Sequence, residues 1–229
     1  DGNEDPIVWG DDHLCGRAIS TYPMIVANKG TDKEFTHRDG DPICDRFLVQ
    51  LLPKRSIALV ADGCNWGEKP RKAAEKASNS FADYLLEHQA EATTTHYVAR
   101  LITRAFSVAH HSILEGSRDS WDVGTTTLLG GLLVKLQEPL LEDRDGEIIA
   151  CNWAYIWGSV GDCKGFHYSA SQKTFRDITS ANRLGTSSAR DCGGRLGPAG
   201  TEGLPDLRNF RIDLTPCEKD DILILVSDG

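Results

Sequence analysis

Two stretches of helical period stand back to back near the middle of the chain, with strand-like runs on both sides. Over 68–91, Ala73, Ala74, Ala77, Phe81, Tyr84 and Leu85 fall on one helical face. Over 93–114, Val98, Leu101, Ile102, Ala105, Val108, Ala109 and Ile113 do the same, and Gly116 is placed to end the helix. Before the helices, apolar runs at 47–52 and 57–61 flank Pro53-Lys54-Arg55, a hairpin signal. After them come strand-like runs at 125–129 and 132–136 around Gly130-Gly131, then at 148–157 and 165–169. Asp143-Arg-Asp-Gly146 reads as a turn, and 221–227 reads as a buried strand. Strands grouped with strands and helices with helices, without strict alternation, predict an α+β fold with mainly antiparallel sheet.

The flanks are less regular. Residues 1–45 hold ten acidic and four basic residues, two-thirds of the net charge of −9. Within them 16–26 is apolar enough for a strand, and 32–45 is polar and turn-rich. The division expected is an acidic segment over 1–40 leading into one domain over 41–229. Residues 180–209, rich in Gly, Ser, Arg and Pro, are expected to be loop. At 229 residues and 40% hydrophobic, the chain can bury a substantial core. Its acidity argues against nucleic acid as a partner, which needs a basic footprint. No run reaches the ~18 apolar residues of a membrane span. Seven scattered cysteines without a CxxC fit reduced thiols better than a disulfide scaffold or a zinc site. With no basic-then-apolar leader visible, they point to the cytoplasm or nucleus.

Chemistry concentrates at strand ends. The run 56–61 ends in Asp62-Gly63, the run 153–160 in Gly161-Asp162, and the last run in Asp228-Gly229; Asp45 immediately precedes the run at 47–52. One Asp-Gly after a strand is ordinary turn chemistry. Four carboxylates brought to one end of a sheet would repel one another, and a hard divalent cation removes that conflict. Two such ions can activate a water and hold a phosphoryl group for in-line attack.

In order along the chain these segments resemble the motifs of the metal-dependent serine/threonine protein phosphatases of type 2C, the PPM family. Cys44-Asp45-Arg46-Phe47 is similar to the family's acidic pair before a strand. Val60-Ala61-Asp62-Gly63-Cys64-Asn65-Trp66-Gly67 is similar to its Asp-Gly-His-Gly-Gly strand end. Gly124-Thr125-Thr126, Val160-Gly161-Asp162-Cys163-Lys164 and Val226-Ser227-Asp228-Gly229 follow in the expected order. The resemblance implies an antiparallel β-sandwich flanked by helix pairs, with a centre of two Mg²⁺ or Mn²⁺ ions at one end. It implies that Asp62 bridges both metals, that the Gly63 carbonyl and Asp228 are ligands, and that Asp45 acts directly or through water. Asp162 would help an additional metal. A metal-activated water would attack phosphoserine or phosphothreonine of a protein substrate, without a phosphoenzyme. The family's further metal-binding Asp follows Ser-Asp-Gly, so part of the domain is expected beyond Gly229.

The departures are specific. Cys44 replaces the Glu of the acidic pair. Cys64 stands where many members carry a His thought to protonate the leaving group; a proton-donating thiol and a structural buried thiol are both open. Asn65-Trp66 interrupts the Gly-Gly pair. Gly40 occupies the position of a phosphate-holding Arg, leaving Arg38 as the nearest phosphate-binding candidate. These changes keep a second reading open, a pseudophosphatase acting as a binding or regulatory module. The loop around Gly193-Gly194-Arg195 is either substrate-facing or ordinary surface. His110 and His111 point about 100° apart on a helix and do not form a metal pair. Trp66, Trp121, Trp153 and Trp157 are expected in or near the core, with a cleft-rim position also open to Trp66. The oligomeric state is not encoded in any motif.

Overall fold

The computed structural model describes residues 43–227 except 53, 118, 120, 121, 145, 181–190 and 201, together with the backbone of three strands nearer the N-terminus. Those three are β1 (Ile7–Gly10), β2 (Met24–Ala27) and β3 (Thr36–Asp39); β2 and β3 pair as a separate hairpin. Part of the stretch expected to be turn-rich is thus a strand. The large sheet runs β1, β4 (Arg46–Leu52), β5 (Arg55–Ala61), β6 (Leu128–Arg144), β7 (Glu147–Val160) and β10 (Arg211–Cys217), every neighbouring pair antiparallel. A second sheet orders β11 (Ile222–Val226), β8 (Lys164–Ser169) and β9 (Thr174–Asp177).

The alternation of side chains along the large sheet separates two cores. Ile57, Leu59 and Ala61 of β5, Leu128 and Leu132 of β6, and Ala154 and Ile156 of β7 face the helices α1 (Glu68–His88) and α2 (Thr95–Leu114). The inner faces predicted for those helices are buried except for Tyr84 and Val108, which are half-buried, and α2 also buries Phe106 and His110. Phe81 and Phe106 meet edge to face with ring centres 5.2 Å apart. Thr94 caps α2 by accepting the Tyr97 N–H at 3.1 Å, a cap worth about 1 kcal/mol. From the opposite face, Val60, Leu129, Tyr155 and Trp157 pack with Cys163, Ile178 and Cys217 against Leu223 and Leu225 of the small sheet. The result is an α+β sandwich of two antiparallel sheets with a helix pair on the outer face of the larger. No helix among the described residues is long and apolar enough to cross a membrane.

Three expectations need correction. Gly130-Gly131 does not separate two strands; β6 runs straight through it. A Cβ on Gly130 would lie 2.6 Å from the Leu59 Cβ, and one on Gly131 would lie 2.1 Å from the Ile156 carbonyl oxygen. These glycines permit close approach within a strand instead of breaking it. Secondly, β11 is buried on one face only: Leu223 and Leu225 point inward, whereas Ile222 is 52% exposed. Its continuous apolar run conceals that alternation. Thirdly, Trp66 is 66% exposed, unlike the buried Trp157; Trp121 lies outside the described residues.

Candidate metal and phosphate site

Register brings the strand-end residues to one edge of the large sheet. Arg46 of β4 pairs with Ala61 of β5, so one step further sets Asp45 opposite Asp62. Val60 pairs with Leu129, and Leu128 pairs with Val160, which continues the same edge through Thr126 and Thr127 to Gly161 and Asp162. Because neighbouring strands are antiparallel, β5 and β7 deliver residues from their C-terminal ends, and β4 and β6 from their N-terminal ends. The small sheet reaches the same place: Ser227, just after β11, donates its hydroxyl to the Asp45 carboxylate at 3.3 Å.

The Asp62 backbone is held by the threonine segment. Its carbonyl accepts the Thr127 N–H and the Thr126 hydroxyl, both at 2.8 Å, and its own N–H donates to Thr127 Oγ1 at 3.2 Å. Gly63 follows in a bridge to Thr126, and the Cys64 N–H donates to the Thr125 carbonyl at 2.9 Å. Only glycine fits at 63, since a Cβ would meet the Pro70 carbonyl oxygen at 2.6 Å and the Cys44 Cβ at 3.0 Å. The Gly-Thr-Thr segment therefore does more than extend a strand: it fixes the turn that presents Asp62. Asp162 is buried behind Gly161, whose φ of +100° suits glycine. The Asn209 amide accepts the Gly161 N–H at 3.0 Å and donates to its carbonyl at 2.8 Å.

Of the stretch 180–209 expected to be loop, 181–190 and 201 lie outside the described residues; the described residues of 191–209 form no helix or strand, yet they are bound into the site. Leu196 and Thr126 exchange backbone hydrogen bonds at 3.1 and 2.8 Å, and Arg195 and Asp206 exchange another pair at 2.8 and 3.0 Å. The Gly197 N–H donates to Nδ1 of the buried His110 at 3.1 Å, which gives that histidine a role in seating the loop. Arg208 takes up the carboxylates of both Asp191 and Asp206, while the buried Arg195 Nε meets no partner. Cys192 lies against Cys64, sulfur to sulfur at 4.0 Å. The contact with Cys192, together with partial burial, holds the Cys64 thiol well above the usual thiol range. The same contact draws Cys192 down to about 7, although burial and the Asp162 charge oppose it. No spacing in the sequence joins Cys64 to Cys192 or Asn209 to Gly161; these contacts exist only once the loop is folded.

Among the residues named from sequence, Asp45, Asp62, Gly63, Cys64 and Asp162 come to one edge. Asp228 lies outside the described residues, as does the Arg38 side chain; the Arg38 backbone pairs with Ile25 in the β2–β3 hairpin. Cys44 is buried and donates its thiol to the Gly67 carbonyl at 3.6 Å, packing beneath the site turn and offering no oxygen ligand. Among the described residues, no three His, Cys, Asp or Glu side chains cluster closely enough to hold a metal ion between them.

No family model matches the chain. The PP2C-like domain-containing protein CG9801 of Drosophila melanogaster is 32% identical over 238 residues, a match that takes in all of this chain and 31% of the relative. The chain thus spans about a third of the length of the curated relative it matches. Solved structures are more distant. The PPM Ser-Thr phosphatase MsPP from Mycobacterium smegmatis, in complex with cacodylate, is 15% identical with a TM-score of 0.45, over 82% of this chain and 74% of that one. A Stage II Sporulation E family protein from Thermanaerovibrio acidaminovorans is 16% identical with a TM-score of 0.47, over 79% and 77%. Motif order and a match at 32% identity over the whole of this chain agree: the chain belongs to the PP2C-like (PPM) family, as a divergent member.

Proposed function

We propose that this domain hydrolyses phosphoserine and phosphothreonine in proteins with Mg²⁺ or Mn²⁺ held at the Asp45–Asp62 edge. The observation that carries the reading is the register that sets Asp45 opposite Asp62, with Asp162 two strands along. The donors there are carboxylate oxygens, the type a hard divalent cation takes, and Mg²⁺ commonly binds through one or two carboxylates with waters filling the remaining positions. Two aspartates set opposite each other by the backbone register fit that habit without a third enclosing side chain. Asp45 and Asp62 would be the direct holders, with the Gly63 carbonyl and Asp228 as further ligands and Asp162 near an additional ion. Bound there, the cations supply positive charge that lowers the pKa of a water and offsets the charge of phosphoryl oxygens. The chain's own residues orient and exclude: the threonine segment fixes the Asp62 turn, and Asn209 fixes the peptide before Asp162. Cys64, two residues beyond Asp62, is the candidate donor to the leaving oxygen.

The test is phosphate release from an aryl phosphate and a phosphothreonine peptide, in EDTA, Mg²⁺ or Mn²⁺, with Asp62→Asn as control. Release that needs metal and disappears in Asp62→Asn is expected. Equal release with and without Asp62 would sink the assignment.

Cys44 favours a second reading. With a buried thiol where the acidic pair of the family has a Glu, the site has one carboxylate fewer. A folded protein that binds Mn²⁺ but releases no phosphate from either substrate would make the domain a binding or regulatory pseudophosphatase.

A further inference from the structure

Six cysteines are described; four of them, Cys44, Cys151, Cys163 and Cys217, are buried. The remaining two, Cys64 and Cys192, are partly accessible and touch each other across 128 positions of chain. Cys64 belongs to the turn that presents Asp62, and its backbone is pinned to Thr125. Cys192 belongs to the loop that ends in the Leu196–Thr126 and Arg195–Asp206 backbone pairs. Their sulfurs stand at van der Waals distance, and a disulfide needs a separation of about 2 Å. Side-chain rotation at Cys192, whose thiol donates to the Gly194 carbonyl at 3.2 Å, can supply the difference.

We propose that Cys64 and Cys192 are a reversible thiol–disulfide pair, closed by a peroxide, which ties the 191–197 loop across the turn that carries Asp62. Cys192 is the attacking sulfur. As thiolate it attacks one peroxide oxygen; the O–O bond breaks, and the departing hydroxide takes a proton to become water. Cys192 is left as a sulfenic acid. The Cys64 sulfur then attacks the Cys192 sulfur, its thiol proton joins the leaving hydroxyl, and a second water departs as the S–S bond forms. Two thiols and one peroxide give one disulfide and two waters; each sulfur loses one electron and the peroxide gains two. The contact itself favours Cys192 in the first step: its hydrogen bond with Cys64 is the main cause of its lowered pKa, and the positive charge of Arg195 adds a smaller push against the opposing Asp162 charge. The unpartnered Arg195 Nε leaves that guanidinium incompletely engaged by neighbours.

The crosslink itself is independent of the proposed phosphatase activity, whereas its effect on turnover rests on that reading. The folded protein is treated with one equivalent of hydrogen peroxide and digested without reduction for peptide mass spectrometry. The expected result is the loss of two hydrogens, a single crosslinked species joining the Cys64 and Cys192 peptides, and full reversal by dithiothreitol. Asp62→Asn should crosslink equally, which separates this test from the catalytic one. Cys192→Ser should not crosslink, and its phosphate release should resist peroxide. In the wild type, release should fall roughly tenfold to a hundredfold on oxidation and return on reduction, the scale of a misplaced catalytic turn. A stable sulfenic or higher acid without the crosslink, or a different cysteine pair, overturns the proposal. A Cys64–Cys192 bond that leaves measurable turnover unchanged overturns its closure of the site.

Discussion

Asn209 grips the Gly161 peptide from both sides, accepting its N–H at 3.0 Å and donating to its carbonyl at 2.8 Å. This one amide ties the end of the 191–209 loop to the β7 tip that carries Asp162. Asn209→Ala leaves two buried backbone groups unpaired, at about 1–3 kcal/mol each. The expected result in chemical denaturation is a loss of roughly 2–4 kcal/mol with an unchanged denaturant slope. A loss under about 0.5 kcal/mol, the range of an ordinary surface substitution, would remove Asn209 from the support of the site.

The Asp45–Asp62 edge predicts opposite effects with and without metal. In EDTA, Asp45→Asn or Asp62→Asn should raise the melting temperature, because neutralising one carboxylate relieves repulsion on the order of 1 kcal/mol. With Mn²⁺ at a hundred times its dissociation constant, the wild type should gain about 2.7 kcal/mol and the variants much less. Differential scanning calorimetry with and without Mn²⁺ reads both. An identical Mn²⁺ shift in wild type and Asp62→Asn would place the ion elsewhere.

Gly130 and Gly131 give a test of packing alone. Gly131→Ala drives a Cβ to 2.1 Å from the Ile156 carbonyl oxygen, a backbone atom that cannot rotate away. Overpacking of this kind costs about 1–3 kcal/mol, and more where no neighbour can yield. Gly146→Ala is the contrasting case: its added Cβ meets nothing within 4 Å, and its cost comes only from a φ of +89°. Gly131→Ala should therefore be the more destabilised of the two in urea, and the reverse order would contradict the packing described.

The small sheet carries an acid-sensitive joint. Asp221 accepts from the Ala170 N–H at 2.9 Å, the Glu218 N–H at 2.9 Å and His167 Nε2 at 2.8 Å. Burial alone would raise its pKa, but these hydrogen bonds together hold it below the ordinary carboxylate value. A folded-state pKa below the unfolded one stabilises the protein above the unfolded value of about 4, and that contribution is lost as pH falls through the folded value. The wild type should lose stability below about pH 4. Asp221→Asn should be weaker at pH 7 by roughly 3–5 kcal/mol, with a flatter acid limb in pH-dependent urea melts. A variant with an unchanged acid limb would exclude Asp221 as its source.

What the sequence made legible follows from period and local chemistry. The two helices, the β4–β5 hairpin and the Asp143–Gly146 turn rest on neighbours within a few residues, and all were readable. In that turn the Gly146 N–H donates to Asp143 Oδ1 at 2.8 Å. β9 and β10 were not readable: β9 is four residues long and polar-rich, too short to show a period although it pairs with the neighbouring β8, and β10 takes its stability from β7, far earlier in the chain. The carboxylate-bearing tips could be named from motif order. Their supports could not, since Thr127, Asn209, His110 and Cys192 act through contacts that no local spacing records.

The antiparallel register has a consequence for how the site comes into being. Asp45 and Asp62 arrive on one hairpin and Asp162 on another, and among the described residues the strand pairing that joins the hairpins is β5 against β6, with both helices between them in the chain. That seam is a non-local pairing, whose closure entropy is met before its contacts form. Neither hairpin alone holds the whole edge, so the site cannot ripen piecemeal. It is assembled in the step that joins the two halves of the sheet, and a nascent chain acquires its chemistry and its global topology together.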